Sequence, residues 1–212
     1  MREEVLPEIQ RQVLTTIAPI TRDLRLYLGG GTAIALQLGH RRSIDFDWFS
    51  EEPRFHVERA IEAFRAVPGF ALELREEGTI LAAVQGVRVA CFSYRYARLD
   101  PLVDDAGIHL AGLWDLAAMK LLAVAQRGSR KDFIDIQVLL NHGLTLAEML
   151  DAFQRKFDVT NRMTALRGLV YFDDAEEEPM PDMLVPLDWA ALKIRFRRLV
   201  DGVISSPSKD RS

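Results

Sequence analysis

Leu28-Gly29-Gly30-Gly31-Thr32-Ala33-Ile34-Ala35-Leu36-Gln37-Leu38-Gly39-His40-Arg41-Arg42-Ser43-Ile44-Asp45-Phe46-Asp47-Trp48-Phe49 is the stretch on which the reading of this chain turns. Its first part sets a glycine run between a short strand expected at 25–28 and a small apolar helix expected at 33–38. The backbone N–H groups of such a turn form a concavity for anions, helped by the positive end of the following helix. Thr32 suits both a cap for that helix and a hydroxyl offered to a phosphate. The plainer alternative is that the glycines serve only a tight turn. The second part, residues 43–49, alternates as a half-buried strand does, with Ile44, Phe46 and Trp48 on one face and Ser43, Asp45 and Asp47 on the other. Asp is depleted in strands, and two like charges side by side repel unless a cation lies between them. Mg²⁺, which takes one or two carboxylates together with phosphate oxygens and water, resolves that repulsion. An exposed face on which both acids are solvated is the alternative. Thr32 and Asp45 lie thirteen positions apart, enough for a short helix out and a strand back, so cradle and carboxylates can face one pocket. His40, Arg41 and Arg42 precede the acids and suit either phosphate binding or a solvated loop, Arg42 being the best placed of the three.

The surrounding composition bounds the possibilities. The 212 residues are 49% hydrophobic and 27% charged, too apolar for a disordered chain. The single cysteine, Cys91, rules out an internal disulfide framework, and neither it nor the four scattered histidines has zinc-site spacing. No apolar run reaches the roughly 18 residues of a membrane helix, and no signal-peptide pattern opens the chain, so a cytoplasmic, unanchored protein is expected. With 27 Lys+Arg against 31 Asp+Glu, the net charge of -4 gives no global basic field. Contact with nucleic acid then needs local patches, for which Arg127, Arg130, Lys131, Arg195, Arg197 and Arg198 are candidates, each equally suited to a solvated face.

Working outward, residues 3–17 read as a helix interrupted early by Pro7, with Val5, Ile9, Val13 and Ile17 on one face. A helix is expected at 56–67 and three strands between Phe70 and Tyr96, divided by Glu77-Gly78 and Gln85-Gly86. From Leu113 helical periods take over, at 113–127, 130–141, 145–157, 160–171 and 188–203. The acid- and proline-rich stretch 173–186 reads as an exposed linker, and the tail from Ser205 as frayed. The fold class is therefore α+β, a mixed sheet followed by a mainly helical half.

In that helical half Lys120 is the one charged residue from Leu116 through Gln126. It either snorkels to solvent or brings its ammonium to phosphates. Ser129-Arg130-Lys131-Asp132 fits a capping box, which gives Asp132 a structural role. Asp135, one turn on, is not needed for the cap and is the better catalytic candidate, with an exposed i,i+4 pair to Lys131 as its bland alternative.

The 28–49 stretch, the later Asp115-Leu116-Ala117-Ala118-Met119-Lys120 and the Arg130-Lys131-Asp132-Phe133-Ile134-Asp135 run together resemble the AbiEii-type nucleotidyltransferase toxins, over roughly residues 25–142. The resemblance implies a DNA polymerase β-like nucleotidyltransferase core at 1–105, completed by a helical region at 106–212. It implies a toxin of a toxin–antitoxin or phage-defence system that uses Mg²⁺ to transfer a nucleotide from NTP to a tRNA end, with a cognate antitoxin as partner. By motif, Gly30, Gly31 and Thr32 would cradle the triphosphate, with Arg42 beside them. Ser43 and Asp45 would belong to the active centre, and Asp45 and Asp47 would hold the metal. Lys120 would contact phosphates, and Asp135 would be the acid of its motif. The wider polymerase-like pattern has a third carboxylate on a later strand, where this chain carries Ala90, Cys91 and Ser93. Asp135 would compensate, or the site would run with fewer metal ligands or at reduced activity. Two other readings stay open: the same fold acting on a small molecule or protein hydroxyl, and a non-catalytic interaction module.

Overall fold

The computed structural model describes residues 2–50 and 55–205; of the tail expected to fray from Ser205, Ser205 closes the last helix and residues 206–212 lie outside the described ones. The chain divides into two compact units, residues 1–116 and 117–212.

In the first unit α1 (Glu8–Asp23), β1 (Tyr27–Leu28), α2 (Gly30–Leu38), β2 (Phe46–Ser50) and α3 (Val57–Arg65) precede β3 (Phe70–Glu76), β4 (Thr79–Val84) and β5 (Val87–Ser93). A hairpin of β6 (Val103–Asp105) and β7 (Ile108–Leu110) follows, and then α4 (Leu113–Gln126) begins. One mixed sheet results, in the order β3-β4-β5-β2-β1-β7-β6. β2 lies inside it, antiparallel to β1 and parallel to β5. Alternation along β2 sends Phe46 and Trp48, both fully buried, to one face and Asp47 to the other. In-register pairing puts Cys91 and Ile80 on the Trp48 side. α3 covers that side, with Phe64 stacked 6.1 Å from Phe70 and Glu58 ion-paired with Arg75.

Three sequence expectations are corrected here. The strand expected from Ser43 begins only at Phe46, so Ile44 is 57% exposed instead of sharing the buried face. α1 starts after Pro7 and runs on to Asp23 through Pro19. Its buried stripe is Gln10, Val13, Leu14, Ile17 and Thr21, which leaves Ile9 38% exposed. The β6–β7 hairpin was not anticipated; its turn, Ala106-Gly107, has φ of 55° and 83°, the double left-handed pair that matches strand twist in a tight hairpin.

In the second unit the rest of α4 is followed by α5 (Arg130–Asn141), α6 (Leu146–Phe157), α7 (Met163–Gly168), α8 (Asp173–Glu177) and α9 (Trp189–Ser205). A Thr145–Glu148 capping box opens α6. Phe133 of α5 centres the core, with ring centroids of Phe172, Trp189 and Phe196 at 4.9, 5.9 and 6.1 Å. The stretch expected to be a linker holds α8, and it is docked. Ala175 is fully buried, and the Arg130 guanidinium donates to the carbonyls of Ala175 (2.8 Å) and Glu176 (3.1 Å). Glu178 accepts the Arg130 backbone N–H at 2.8 Å, capping α5 from 48 residues away. An acidic run is solvated only when no cation faces it, and here Arg130 and Lys193 do. No helix among the described residues is long and apolar enough to cross a membrane.

Candidate active site

The first unit joins the glycine turn to Asp47. Gly29 N–H donates to the Asp47 carbonyl at 2.9 Å, continuing the β1–β2 ladder one step past β1. Gly30 then takes φ +62° and opens α2, with Gly29 as its N-cap. A Cβ on Gly30 would lie 2.6 Å from Asp47 Oδ2, inside van der Waals contact, so the Asp47 carboxylate rests against the bare Cα of the turn. Only glycine meets both demands, a left-handed φ and no side chain. The carboxylate thereby stands at the positive end of α2.

Thr32 does something other than cap. It lies in the first turn of α2, is 3% exposed, and its hydroxyl donates to the Asp45 carbonyl. Since its one proton is used there, Ser43 Oγ donates to Thr32 Oγ1 at 2.6 Å. Ser43 N–H is held in turn by the Val5 carbonyl at 3.0 Å. Thr32 and Ser43 thus fix the 43–45 loop that carries half-buried Asp45 next to α2. His40 and Arg41, 1% and 4% exposed, are buried rather than solvated, and Arg41 donates to the Arg42 carbonyl at 3.1 Å. Arg42 is exposed. On β5, Ala90 is abreast of Asp47, so the strand position beside that acid bears a methyl group. Cys91 faces the other way and is fully buried; burial first, and the Asp47 charge second, push its thiol pKa far up.

The donor set suits magnesium. The acids Asp45 and Asp47 supply hard oxygens, and the missing Cβ of Gly30 makes room for the Asp47 carboxylate. Among the described residues no group of three or more His, Cys, Asp or Glu forms a metal cage. A two-carboxylate set is the kind Mg²⁺ completes with substrate phosphates and water.

The second unit gathers Lys120, Asp132 and Asp135. Lys120 neither snorkels nor stands alone: its Nζ donates to Asp132 Oδ1 and lies 2.7 Å from Asp135 Oδ2 as well, with both acids fully buried. Arg127 donates to Asp132 through Nε (3.0 Å) and Nη2 (3.3 Å), and Ser129 Oγ donates at 2.8 Å. The capping box expected at Ser129 is therefore replaced by a side-chain network, and no side chain caps α5 at Ser129. The exposed pair between Lys131 and Asp135 is not made, because Asp135 points inward to Lys120. Burial alone would raise the Asp132 pKa, but the Lys120 and Arg127 charges outweigh it and hold the carboxyl at about 2. The sequence marked these residues one by one; the spacing of Lys120 and Asp132, twelve positions apart on different helices, gave no local sign that they meet. Of the basic residues considered for RNA, Arg127 is engaged with Asp132 and Arg130 with α8, Arg195 donates to Asn141 at 2.5 Å, and Arg197 lies 5.5 Å over Phe172.

One further pair escaped sequence reasoning. Asp115 accepts the backbone N–H groups of Leu99 and Asp100, and Asp100 accepts that of Trp114 at 2.9 Å. This reciprocal clasp closes over Gly112, where a Cβ would sit 2.3 Å from the Asp100 Cβ.

A mixed sheet that sets an acid from a central strand against a glycine turn and a helix start is a frame suited to nucleotidyl transfer, and the chain matches the model of a nucleotidyltransferase family. Its particular family is the nucleotidyl transferase AbiEii toxin family of type IV toxin–antitoxin systems, which matches residues 12–207; the chain belongs to it. An uncharacterized protein of Aquifex aeolicus (strain VF5), aq_aa25, is 34% identical over 202 residues, covering 92% of this chain and 96% of its own. Among solved structures, a putative nucleotidyltransferase from H. pylori superimposes with a TM-score of 0.57 at 15% identity, over 95% of each chain. MenT4, a nucleotidyltransferase toxin from Mycobacterium tuberculosis H37Rv, gives 0.55 at 13% identity over 86% of this chain and 76% of its own.

Proposed function

We propose that the chain transfers a nucleotide from an NTP to the end of a tRNA, in a magnesium-dependent reaction, as the toxin of a toxin–antitoxin pair whose antitoxin restrains it. The observation that carries this reading is the Asp47 carboxylate lying against the bare Gly30 turn at the start of α2. Gly30 and Gly31 offer backbone N–H groups to the triphosphate, and exposed Arg42 adds a cation at the edge of the same loop. Asp45 and Asp47 would hold the metal, which when bound would supply charge to stabilise the phosphates and the leaving pyrophosphate. The acceptor hydroxyl attacks the α-phosphorus in line; the new P–O bond forms as the bond to the β-phosphate oxygen breaks, and Asp45 takes the hydroxyl proton. Thr32 and Ser43 act as positioning residues through the loop they fix. Lys120 and Asp135, ion-paired with one another inside the second unit, are the charged pair which that unit brings to this reading.

Purified protein incubated with each labelled NTP, Mg²⁺ and total tRNA is expected to label the RNA, and Asp47→Ala to reduce labelling by more than about a hundredfold, the scale of losing a group that stabilises transition-state charge. Absence of transfer by the unaltered chain overturns the reading. A second reading, transfer to a small molecule or a protein hydroxyl, is favoured by the structural engagement of Arg127, Arg130 and Arg195. Magnesium-dependent NTP consumption with no labelled RNA selects it.

A further inference from the structure

The Asp47 face of the sheet continues past β2. In register across four strands, Asp47, Ala90, Leu81 and Leu74 form one row, and Arg88, Ala83 and Ala71 form the next. Arg75 and Ile80 belong to the opposite face, as the Arg75–Glu58 ion pair to α3 requires. On the Asp47 side the outer strands are open: Leu74 is 38% exposed, Leu81 and Ala83 are half-buried, and Ala71 is exposed. Arg88 is exposed too, and it is the cation of that face on β5. It stands two positions before Ala90, the partner of Asp47, so its Cα is roughly 8 Å diagonally from that of Asp47 by the spacing and rise of paired strands. An extended guanidinium covers much of that distance.

We propose that Arg88 is a substrate-binding residue, its guanidinium gripping a backbone phosphate of the acceptor RNA as the acceptor's terminal hydroxyl approaches the Asp45–Asp47 centre, with the Leu81–Leu74 and Ala83–Ala71 shelf receiving the flanking nucleotide. This rests on the function proposed above. β5 then serves the reaction by phosphate recognition at Arg88 in place of an acid abreast of Asp47. Charge favours this role, because the chain is net acidic and an RNA phosphate is drawn only by a local cation. A guanidinium beside two acids also keeps an anionic acceptor from being repelled by them before the metal is in place. Leu and Ala beside it offer an apolar surface to a base or sugar face without a hydrogen-bond code, which suits an acceptor recognised by its end and not by its sequence.

Steady-state kinetics of Arg88→Ala and Arg88→Gln, with labelled NTP and total tRNA varied in turn, test this. The expected result is a KM for tRNA raised about tenfold or more, a KM for NTP changed less than about twofold, and a salt slope for tRNA reduced by about 0.7, one single-strand phosphate contact. Arg88→Lys, which keeps the charge but not the fork, is expected to fall between. An unchanged KM for tRNA in both variants overturns the proposal, and so does a rise confined to the KM for NTP, which assigns Arg88 to the triphosphate instead. Thermal melting of each variant separates a folding defect from lost recognition; the shallower salt slope of Arg88→Gln decides if Arg88→Ala melts low. Failure of the unaltered chain to label any RNA is a different outcome, and it removes the proposed function itself.

Discussion

At the scale of single residues, Gly30 and Asp132 show the two ways a side chain can be constrained here. Gly30 is fixed by geometry alone: φ of +62° and a carboxylate oxygen where a Cβ would go. Gly30→Ala is expected to lose about 1 kcal/mol to backbone strain, and, by pushing Asp47 aside, to lose nucleotide transfer far beyond what its melting point explains. Retention of near-normal transfer would show that Asp47 does not work from this position. Asp132 is fixed by charge. Its folded pKa of about 2 lies below the ordinary 3.8, so its contribution is fully present above pH 4 and is lost as pH falls from about 4 to about 2. By linkage that contribution is about 2 kcal/mol. Urea midpoints of the unaltered chain and Asp132→Asn should therefore differ at pH 7, draw together from about pH 4 and converge only below about pH 2; a gap that stays constant would place the stabilisation elsewhere. The glycine turn and Asp47 were legible in the sequence because they are a local motif. Asp132 was not, because Ser129-x-x-Asp132 satisfies a local pattern while the deciding partner, Lys120, comes from another helix.

At the scale of elements, the long periodic segments were legible and the short ones were not. β3, β4 and β5 fall where alternation and the Glu77-Gly78 and Gln85-Gly86 turns put them. β6 and β7 are three residues each, and Asp104 and Asp105 depress any strand signal. Their pairing is decided by the sheet, through β7 alongside β1. α8 was hidden for a related reason: five residues of acid and alanine have no apolar period, and Arg130 and the indole N–H of Trp189, which donates to Glu176, supply the stability from outside. The Asp100–Asp115 clasp is the clearest case of an element end held by side chains. Asp100→Ala removes the acceptor for Trp114 N–H and is expected to cost about 1–2 kcal/mol, the range of a helix N-cap. Asp115→Ala strips the acceptor from two backbone N–H groups and should cost at least as much. Chemical denaturation of both single variants and the double variant measures it. If the clasp is one unit, the double variant loses less than the two single losses added.

At the scale of the whole molecule, composition constrains the acceptor more than the fold does. A net charge of -4 means that no broad positive field gathers RNA, and several arginines of the second unit are tied to neighbouring groups. Affinity for RNA in this chain must come from a few discrete phosphate contacts, and the count of such contacts is readable. Each one contributes about 0.7 to the slope of log affinity against log salt for a single strand. For transfer to tRNA, kcat/KM measured between about 50 and 200 mM salt is accordingly expected to fall with a slope between about -1 and -3, shallow beside that of basic nucleic-acid binders that neutralise six or more phosphates. A steeper slope would require a basic surface that this composition does not provide, and a slope near zero would mean that the acceptor is not a polyanion. In the second case a small-molecule or protein hydroxyl becomes the acceptor, and the roles proposed for Asp45, Asp47 and the glycine turn carry over unchanged, because in that proposal attack on the α-phosphorus does not depend on what carries the attacking oxygen.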